Sequence, residues 1–384
     1  MNNSRVVFIG LYNETNLGDP IIASSTEWLF SQFTNLKDKS THLSLFPKQS
    51  LYTRIKRRIK KQISHALSSD DDEQSLFKYY KKNIKEHDVI IAVGGGLIKF
   101  KYQNLDIALI NLLKAAHERK AIIIFNSIGV EGYDENAPRC QRLKQAMLKA
   151  TRNKTLVYIS TRDDIYTLKE RYFESHPLIP CIKVADPAVW CANTFNIKPN
   201  THADIIGVGI IRGNIFVDND ISYTTTQLFD LYINIIKELK KRSNKVELFT
   251  NGNKADNLFA KKIQKELKEK ENIDCKLILP TSSSELIRNI AQFKGIIAGR
   301  LHSCIIAYSL NIPAIGLVWN DKLTLFGKNI GAEDNFITND NFSPSHIVNQ
   351  LQTAIQRGYN QNIARTFKQT IRESIKEITQ LYLN

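Results

Sequence analysis

The stretch Gly295–Gly331 constrains the fold of this 384-residue chain more than any other part. It reads as an apolar strand over Gly295–Ala298, a tight turn at Gly299 and a helix over about 301–310. A second apolar strand follows Pro313. A strand, a helix and a strand in so short a span are typical of α/β proteins with parallel sheets.

The same alternation of strands and helices runs through both halves of the chain, in units of ~25–35 residues. The polar segment 192–202, which contains Pro199, predicts a linker between the halves. We therefore predict an α/β fold of two Rossmann-like, doubly wound domains that face each other across a cleft. The predicted domains are an N-terminal one at 1–195 and a C-terminal one at 203–342, with the helices of 343–384 packing back towards the first domain.

The net charge of +15 favours anionic partners such as phosphorylated small molecules, an anionic membrane surface or nucleic acid. Because no nucleic-acid-binding motif is recognisable, we expect no nucleic-acid partner. The five cysteines are scattered and form no CxxC pair, which indicates neither a disulfide framework nor a zinc site. We expect a cytoplasmic protein, since no signal peptide and no run of ~18 apolar residues is present.

Arg300 and His302 stand where the predicted helix of the opening stretch begins. A helix N-terminus offers free N–H groups and the positive end of the helix dipole, and a guanidinium fits a phosphate or carboxylate. The pair therefore predicts an anion site with a proton-transferring imidazole. The alternative stays open that His302 caps the turn and Arg300 pairs with a carboxylate of the other domain.

Two further loops follow strands of the first half. Asn16, Gly18 and Asp19 lie between the first predicted strand and the first helix, where Asp19 either caps the helix or binds substrate. The spacing of these residues does not fit the GxGxxG fingerprint, so NAD is not indicated. Three consecutive glycines end the strand Asp88–Val93, and they let a ligand approach the backbone closely. They are Gly94, Gly95 and Gly96.

Leu51–Gln62 is strongly basic, with Ile55 and Ile59 at helical spacing, and predicts a basic amphipathic helix. Such a helix is either a solvated face, the reading we prefer, or a surface that binds anionic lipid. The segment Ser68–Ser75 that follows it is polar and acidic, and we expect a loop there.

One further piece is Arg162-Asp163, followed later by Ala185-Asp186-Pro187. Together with the three pieces above, it resembles the polysaccharide pyruvyl transferases, which move pyruvate from phosphoenolpyruvate onto a sugar. The resemblance spans Arg5 to about Gly331, and its most specific part is the stretch from Arg300 to Phe326. The matching residues are Asn16–Asp19, Gly94–Gly96, Arg162-Asp163 with Ala185-Asp186-Pro187, and Arg300, His302, Ala307, Pro313, Trp319, Asp321, Lys322 and Phe326.

The resemblance implies a fold similar to the GT-B glycosyltransferases, with the phosphoenolpyruvate donor held by the second domain and the acceptor by the first. It implies catalytic roles for His302 and Arg300, no cofactor and no metal. The implied donor-binding residues are Arg212, Arg300, Leu301, His302 and Lys322. The residues expected on the acceptor side or in the cleft are Asn16, Gly18, Asp19, Gly94, Gly95 and Gly96.

The function that follows is transfer of a pyruvyl group as a ketal onto a sugar of a capsular, exopolysaccharide or cell-wall glycan. A proton must reach the methylene carbon of the donor, after which two sugar hydroxyls attack C2 and phosphate leaves; His302 is suited to supply that proton. The acceptor is a sugar or lipid-linked oligosaccharide, so we expect peripheral contact with the anionic inner face of the membrane.

Two other functions compete with this one. A GT-B-type glycosyltransferase that uses a nucleotide sugar would need an acidic residue to bind a ribose in the second domain, and Glu285 and Asp256 are the candidates. A membrane-surface binding protein would use the basic segment Leu51–Gln62 and need no active site.

Overall fold

The computed structural model describes residues 5–12, 16–36, 39–47, 68–99 and 105–383, with the backbone alone at 68–72 and 99. The basic segment Leu51–Gln62, for which the sequence predicts a helix, lies outside the described residues.

The chain divides into two compact units. The first contains Met1–Asn13, Thr26–Asp186 and Thr370–Asn384, and the second contains Glu14–Ser25 and Pro187–Gln369. The predicted N-terminal domain therefore differs from the first unit at 14–25 and 187–195, which belong to the second unit. The predicted C-terminal helices of 343–384 divide in the same way, since residues up to Gln369 belong to the second unit and the rest to the first.

The first unit is built on a parallel six-stranded sheet with the order β2-β1-β3-β5-β7-β8. Its central strands are nearly all apolar and buried on both faces, as parallel strands covered by helices must be. The order reverses between β1 and β3, so the crevice of this sheet lies at their carboxyl ends. The strands are β1 (Val6–Gly10), β2 (Ser40–Ser44), β3 (Val89–Val93), β5 (Ile122–Ile128), β7 (Leu156–Thr161) and β8 (Cys181–Lys183), and a separate pair is β4 (Ile98–Lys99) and β6 (Val130–Glu131).

The second unit is built on another parallel six-stranded sheet, with the order β11-β10-β9-β12-β13-β14. This is the order of a Rossmann fold, in which the chain first adds strands on one side of β9 and then returns to add β12 on the other. The strands are β9 (Ile205–Gly209), β10 (Lys245–Phe249), β11 (Lys276–Ile278), β12 (Phe293–Ala298), β13 (Ala314–Leu317) and β14 (Phe336–Ile337). Both sheets confirm the predicted α/β fold of two doubly wound, Rossmann-like units.

Helices alternate with these strands along the described chain. They are α1 (Gly18–Ser31), α2 (Ser68–Asn83), α3 (Leu105–Glu118), α4 (Pro138–Arg152), α5 (Ile165–Thr167), α6 (Cys191–Thr194), α7 (Thr225–Lys241), α8 (Lys254–Glu269), α9 (Ser283–Ile290), α10 (Leu301–Ser309), α11 (Asp321–Asn329), α12 (Pro344–Arg357) and α13 (Gln361–Tyr382).

One prediction about these elements is wrong. Ser68–Ser75, expected as a loop, is the first half of α2. The apolar Leu76, Tyr80 and Ile84, spaced four apart, are buried in the first unit's core and hold the helix against it. The helical spacing of these apolar residues, which continues beyond the acidic run, is the signal that indicates the helix.

Burial of the cysteines protects them from solvent in the folded protein. Burial raises the pKa of the Cys181 thiol to about 11 and that of Cys304 to about 12. All five cysteines are buried free thiols, namely Cys140, Cys181, Cys191, Cys275 and Cys304. No helix of the described residues has the length and apolar character needed to cross a membrane.

We predict that the native protein does not react with a thiol reagent such as DTNB within minutes at pH 8. Both limited access and the raised pKa values of Cys181 and Cys304 keep the reactive thiolate scarce. After unfolding in guanidinium chloride, all five thiols should titrate rapidly. A thiol that reacts quickly in the native state would contradict the burial seen for that cysteine.

Candidate active site

The candidate site lies at the topological switch point of the second sheet. The strands β9 and β12 are neighbours there, and the chain leaves them in opposite directions along the sheet. In open α/β sheets, ligands bind at the carboxyl ends of such a pair. Arg212 follows β9 and Arg300 follows β12, so the fold brings both predicted donor-binding arginines to this point.

The Asp256 carboxylate holds Arg300 in a bidentate pair. Arg300 donates from Nε to Asp256 Oδ2 at 2.8 Å and from Nη2 to Asp256 Oδ1 at 2.7 Å. Asp256 lies in the first turn of α8 and is fully buried, while 17% of the Arg300 side chain is exposed. A planar fork on a buried carboxylate has little freedom, so the guanidinium is fixed with some of its N–H groups left for other partners.

The same carboxylate also positions Arg212. The Arg212 backbone N–H donates to Asp256 Oδ1 at 2.9 Å. The Arg212 side chain donates from Nη1 to Asn214 Oδ1 at 2.7 Å and pairs with Asp218. The alternative raised for Arg300 was a pair with a carboxylate of the other domain, but Asp256 belongs to the same unit as Arg300. The sequence offers Asp256 only as a candidate ribose ligand. It does not indicate that Asp256 holds the Arg300 guanidinium and the main chain of Arg212.

The Tyr232 hydroxyl supports the loop that carries Arg212. It accepts from the Ile211 backbone N–H at 3.3 Å and lies 3.3 Å from the Gly209 carbonyl oxygen, which accepts from it. Burial raises the pKa of this phenol, which keeps it protonated as a hydrogen-bond donor. The exit of the chain from β9 is thereby fixed on both sides of residue 210.

His302 lies in the first turn of α10, just after Arg300 at the N-cap. The imidazole is buried, with 8% of the residue exposed. The main chain of Gly18 packs so closely on the ring that a Cβ at position 18 would overlap it. Glycine is therefore required at the start of α1 for His302 to occupy its place.

The segment that contains Asn16, Gly18 and Asp19 therefore lies beside His302 in the second unit. Leu17 donates its N–H to the Asn251 carbonyl oxygen at 3.2 Å, and residues 14–25 belong to the second unit. The resemblance implies that Asn16, Gly18 and Asp19 lie on the acceptor side or in the cleft, and a binding role for them remains a prediction. The contacts of Gly18 with His302 and of Leu17 with Asn251 could be found only once the strand order was known.

Leu301 and Lys322 complete the predicted donor-binding set. Leu301 is the first residue of α10, and Lys322 lies in the first turn of α11. Trp319, in the loop before α11, donates from Nε1 to the Gly299 carbonyl oxygen at 2.5 Å. This bond joins the loop after β13 to the turn that precedes Arg300. A donor-binding role for Lys322 remains a prediction.

The three glycines predicted on the acceptor side form a buried turn in the first unit. Gly95 has a φ of 83°, which favours glycine, and its carbonyl oxygen accepts from the Gly129 N–H at 2.7 Å. Gly94 donates its N–H to the Asn126 carbonyl oxygen at 3.2 Å. The turn is thus tied to the neighbouring strand, and acceptor binding there remains a prediction.

The motif of Arg162, Asp163 and Asp186 is a buried ionic cluster of the first unit. Arg162 pairs with Asp186, and its Nε lies 3.7 Å from Asp163 Oδ1. Because breaking a buried pair leaves an uncompensated charge, such clusters resist substitution even without a chemical role. Among the described residues, no group of three or more histidine, cysteine, aspartate or glutamate side chains could hold a metal ion.

Comparison with known proteins agrees with these observations. The sequence model of the family described as polysaccharide pyruvyl transferase matches residues 12–321, most of the chain. No curated protein sequence matches the chain significantly.

Solved structures of UDP-GlcNAc 2-epimerases share the fold. The enzyme from Methanocaldococcus jannaschii, in complex with UDP-GlcNAc and UDP, is 12% identical over 98% of this chain and 99% of its own, with a TM-score of 0.56. That from Neisseria meningitidis, bound to UDP-GlcNAc, is 10% identical over 99% of each chain, with a TM-score of 0.53. At such low identity these similarities show the fold alone, which is GT-B-like.

We predict that Asp256→Asn both destabilises the protein and releases the arginines. Replacing one partner of a buried ion pair should cost roughly 3 kcal/mol of the free energy of unfolding, measured in urea. If the site binds phosphoenolpyruvate as predicted, its affinity measured by calorimetry should fall by about 10-fold or more, because Arg300 loses its bidentate anchor.

Glu269→Gln is a matched control for that variant. It makes the same change of charge on the same helix, but Glu269 is exposed and lies 3.9 Å from Lys265. Its stability and affinity should stay close to those of the wild type. If Asp256→Asn behaved like this control, Asp256 would not be the anchor of the site.

Proposed function

The chain belongs to the polysaccharide pyruvyl transferase family, a family of transferases, and we propose that it moves the pyruvyl group of phosphoenolpyruvate onto a sugar as a ketal. The observation that carries this proposal is the arrangement at the switch point of the second sheet. There, Asp256 fixes Arg300 beside His302 at the start of α10. The acceptor would be a sugar of a capsular, exopolysaccharide or cell-wall glycan, free or linked to a lipid.

The donor carries two anionic groups, a phosphate and a carboxylate. Arg212 and Arg300 follow adjacent strands and share one anchor, so they can address both groups of one small molecule. The first N–H groups of α10, including that of Leu301, add donors aligned with the positive end of the helix dipole. This combination suits a compact molecule with two anionic ends.

The reaction requires one proton to be added and two to be lost. His302 donates a proton to the methylene carbon of the donor, which becomes a methyl group, and positive charge develops at C2. One sugar hydroxyl forms a bond to C2 and releases its proton, the bond from C2 to the phosphate oxygen breaks, and a second hydroxyl then attacks C2 and releases its proton. One released proton leaves with the phosphate, and the other restores His302.

The nucleotide-sugar alternative needs an acidic residue for a ribose, and both candidates have other partners. Asp256 accepts three hydrogen bonds from Arg212 and Arg300. Glu285 accepts from the backbone N–H and the hydroxyl of Thr281, at 2.8 and 3.0 Å, where it stabilises the start of α9. We therefore prefer phosphoenolpyruvate as the donor.

The direct test is incubation of the protein with phosphoenolpyruvate and a panel of free and lipid-linked oligosaccharides, followed by mass spectrometry. We expect one glycan to gain a pyruvyl ketal while inorganic phosphate is released. Thermal-shift measurements in parallel should show stabilisation by phosphoenolpyruvate and none by UDP- or CMP-sugars. Stabilisation by a nucleotide sugar alone would favour the glycosyltransferase instead.

We predict that His302→Gln lowers kcat by roughly 10²–10⁴ while the affinity for phosphoenolpyruvate changes little. Glutamine keeps a hydrogen-bond donor but cannot titrate, so one limb of the pH profile of kcat should flatten. His346→Gln, at an exposed position on α12, serves as the control and should leave both parameters unchanged. Wild-type turnover with an unaltered pH profile in His302→Gln would refute its role as the acid.

A further inference from the structure

The loop after β10 places Asn251 between the starts of two helices. The Asn251 carbonyl oxygen of the main chain accepts from the Leu17 N–H, just before α1. Its side-chain Oδ1 accepts from Ser303 Oγ at 2.6 Å, in the first turn of α10. Asn251 is 1% exposed. The first contact fixes its main chain, and the second fixes its side-chain amide.

The other atom of the same amide has no such contact. Asn251 Nδ2 is buried and finds no hydrogen-bond partner within the described part of the chain. A primary amide nitrogen carries two N–H donors, and burying them unpaired is costly. A buried donor without a partner needs a specific explanation, and one explanation is that it donates to a bound ligand.

The first turn of α10 presents further donors beside this amide. The N–H groups of Ser303 and Cys304 bond to the Arg300 carbonyl oxygen, at 3.0 and 3.4 Å. The N–H group of Leu301 precedes them and lies too early in the helix for an intrahelical acceptor. The side chain of Arg300, at the N-cap, does not cap the helix. An anion beside Leu301 would meet this N–H group and the positive end of the helix dipole.

We infer that Asn251 is a ligand-binding residue whose Nδ2 donates a hydrogen bond to an oxyanion oxygen of the donor at the start of α10. Ser303 holds the amide with its carbonyl engaged, which leaves the nitrogen for the ligand. A neutral amide adds this contact without adding charge to a site that already contains two arginines. The inference rests on the proposed function for the identity of the donor, and the class of ligand it requires is a phosphate or carboxylate.

The test is calorimetric titration of the full chain with phosphoenolpyruvate and, separately, with inorganic phosphate. Asn251→Asp preserves the shape, the acceptor for Ser303 and the main-chain contact with Leu17, but replaces the donor nitrogen by a charged oxygen. We expect it to weaken phosphoenolpyruvate binding by about 10- to 100-fold, through loss of a charge-assisted hydrogen bond and repulsion between like charges. A parallel loss for inorganic phosphate would assign the contact to the phosphoryl group, and an unchanged phosphate affinity would assign it to the carboxylate.

Asn362→Asp is the matched control, because it makes the same substitution at an exposed position on α13. It should bind phosphoenolpyruvate within about threefold of the wild type. Asn251→Ala serves if Asn251→Asp fails to fold by circular dichroism, with an expected loss of about 10-fold. Wild-type affinity in the folded Asn251 variant, or an equal loss in Asn362→Asp, would overturn the inference.

The two proposals can fail separately. If the wild type bound inorganic phosphate but not phosphoenolpyruvate, the proposed function would be overturned, and the phosphate titration of Asn251→Asp would still decide the role of Asn251. If the wild type bound neither anion, both proposals would be overturned.

Discussion

The buried carboxylate of Asp256 is the interaction on which the candidate site depends. It takes two hydrogen bonds from the Arg300 guanidinium and one from the Arg212 main chain. A carboxylate without exposure to water is tolerated only when it is paired and hydrogen-bonded. A buried Asp256 therefore requires the hydrogen bonds from Arg300 and Arg212. The first turn of α8 contributes as well, because the positive end of its dipole favours a negative charge. The carboxylate thereby fixes the Arg300 guanidinium and the main chain of Arg212, which follow the adjacent strands β12 and β9.

How much of this could be read from the sequence depends on how local each feature is. The strand Gly295–Ala298, the turn and the helix after it lie within one stretch, so the positions of Arg300 and His302 were predictable. The parallel sheets followed from alternating apolar strands and helices. The anchor of Arg300 was not predictable, because Asp256 is 44 positions away and meets it only through the strand order. The same holds for Gly18, whose packing on His302 joins the beginning of the chain to its second unit.

The first unit shows that a family motif can be a requirement of the fold. Arg162 and Asp186 belong to segments that contribute to the family resemblance, and the structure buries them as an ion pair behind the carboxyl end of the sheet. The glycines at 94–96 likewise form a turn that is bonded to the neighbouring strand. These contacts explain the residues without a ligand, whereas Asn251 Nδ2 in the second unit is buried with no hydrogen-bond partner among the described residues. Residues with unsatisfied donors are therefore better guides to binding than residues that merely match a motif.

The charges of the site also bear on how a multiply charged donor is both bound and released. Arg300 is paired with Asp256 and Arg212 with Asp218, so each guanidinium is largely neutralised where it lies. Long-range attraction then comes from the net charge of +15 over the whole chain, which raises the rate of encounter with an anion. In the proposed function, short-range recognition would come from oriented N–H groups, which need no reorganisation when the donor arrives. A site that binds its ligand through fixed N–H donors, with its arginines largely neutralised, holds an anion less tightly than a site with unpaired cations. It can therefore release the phosphate that the proposed reaction produces, as repeated turnover requires.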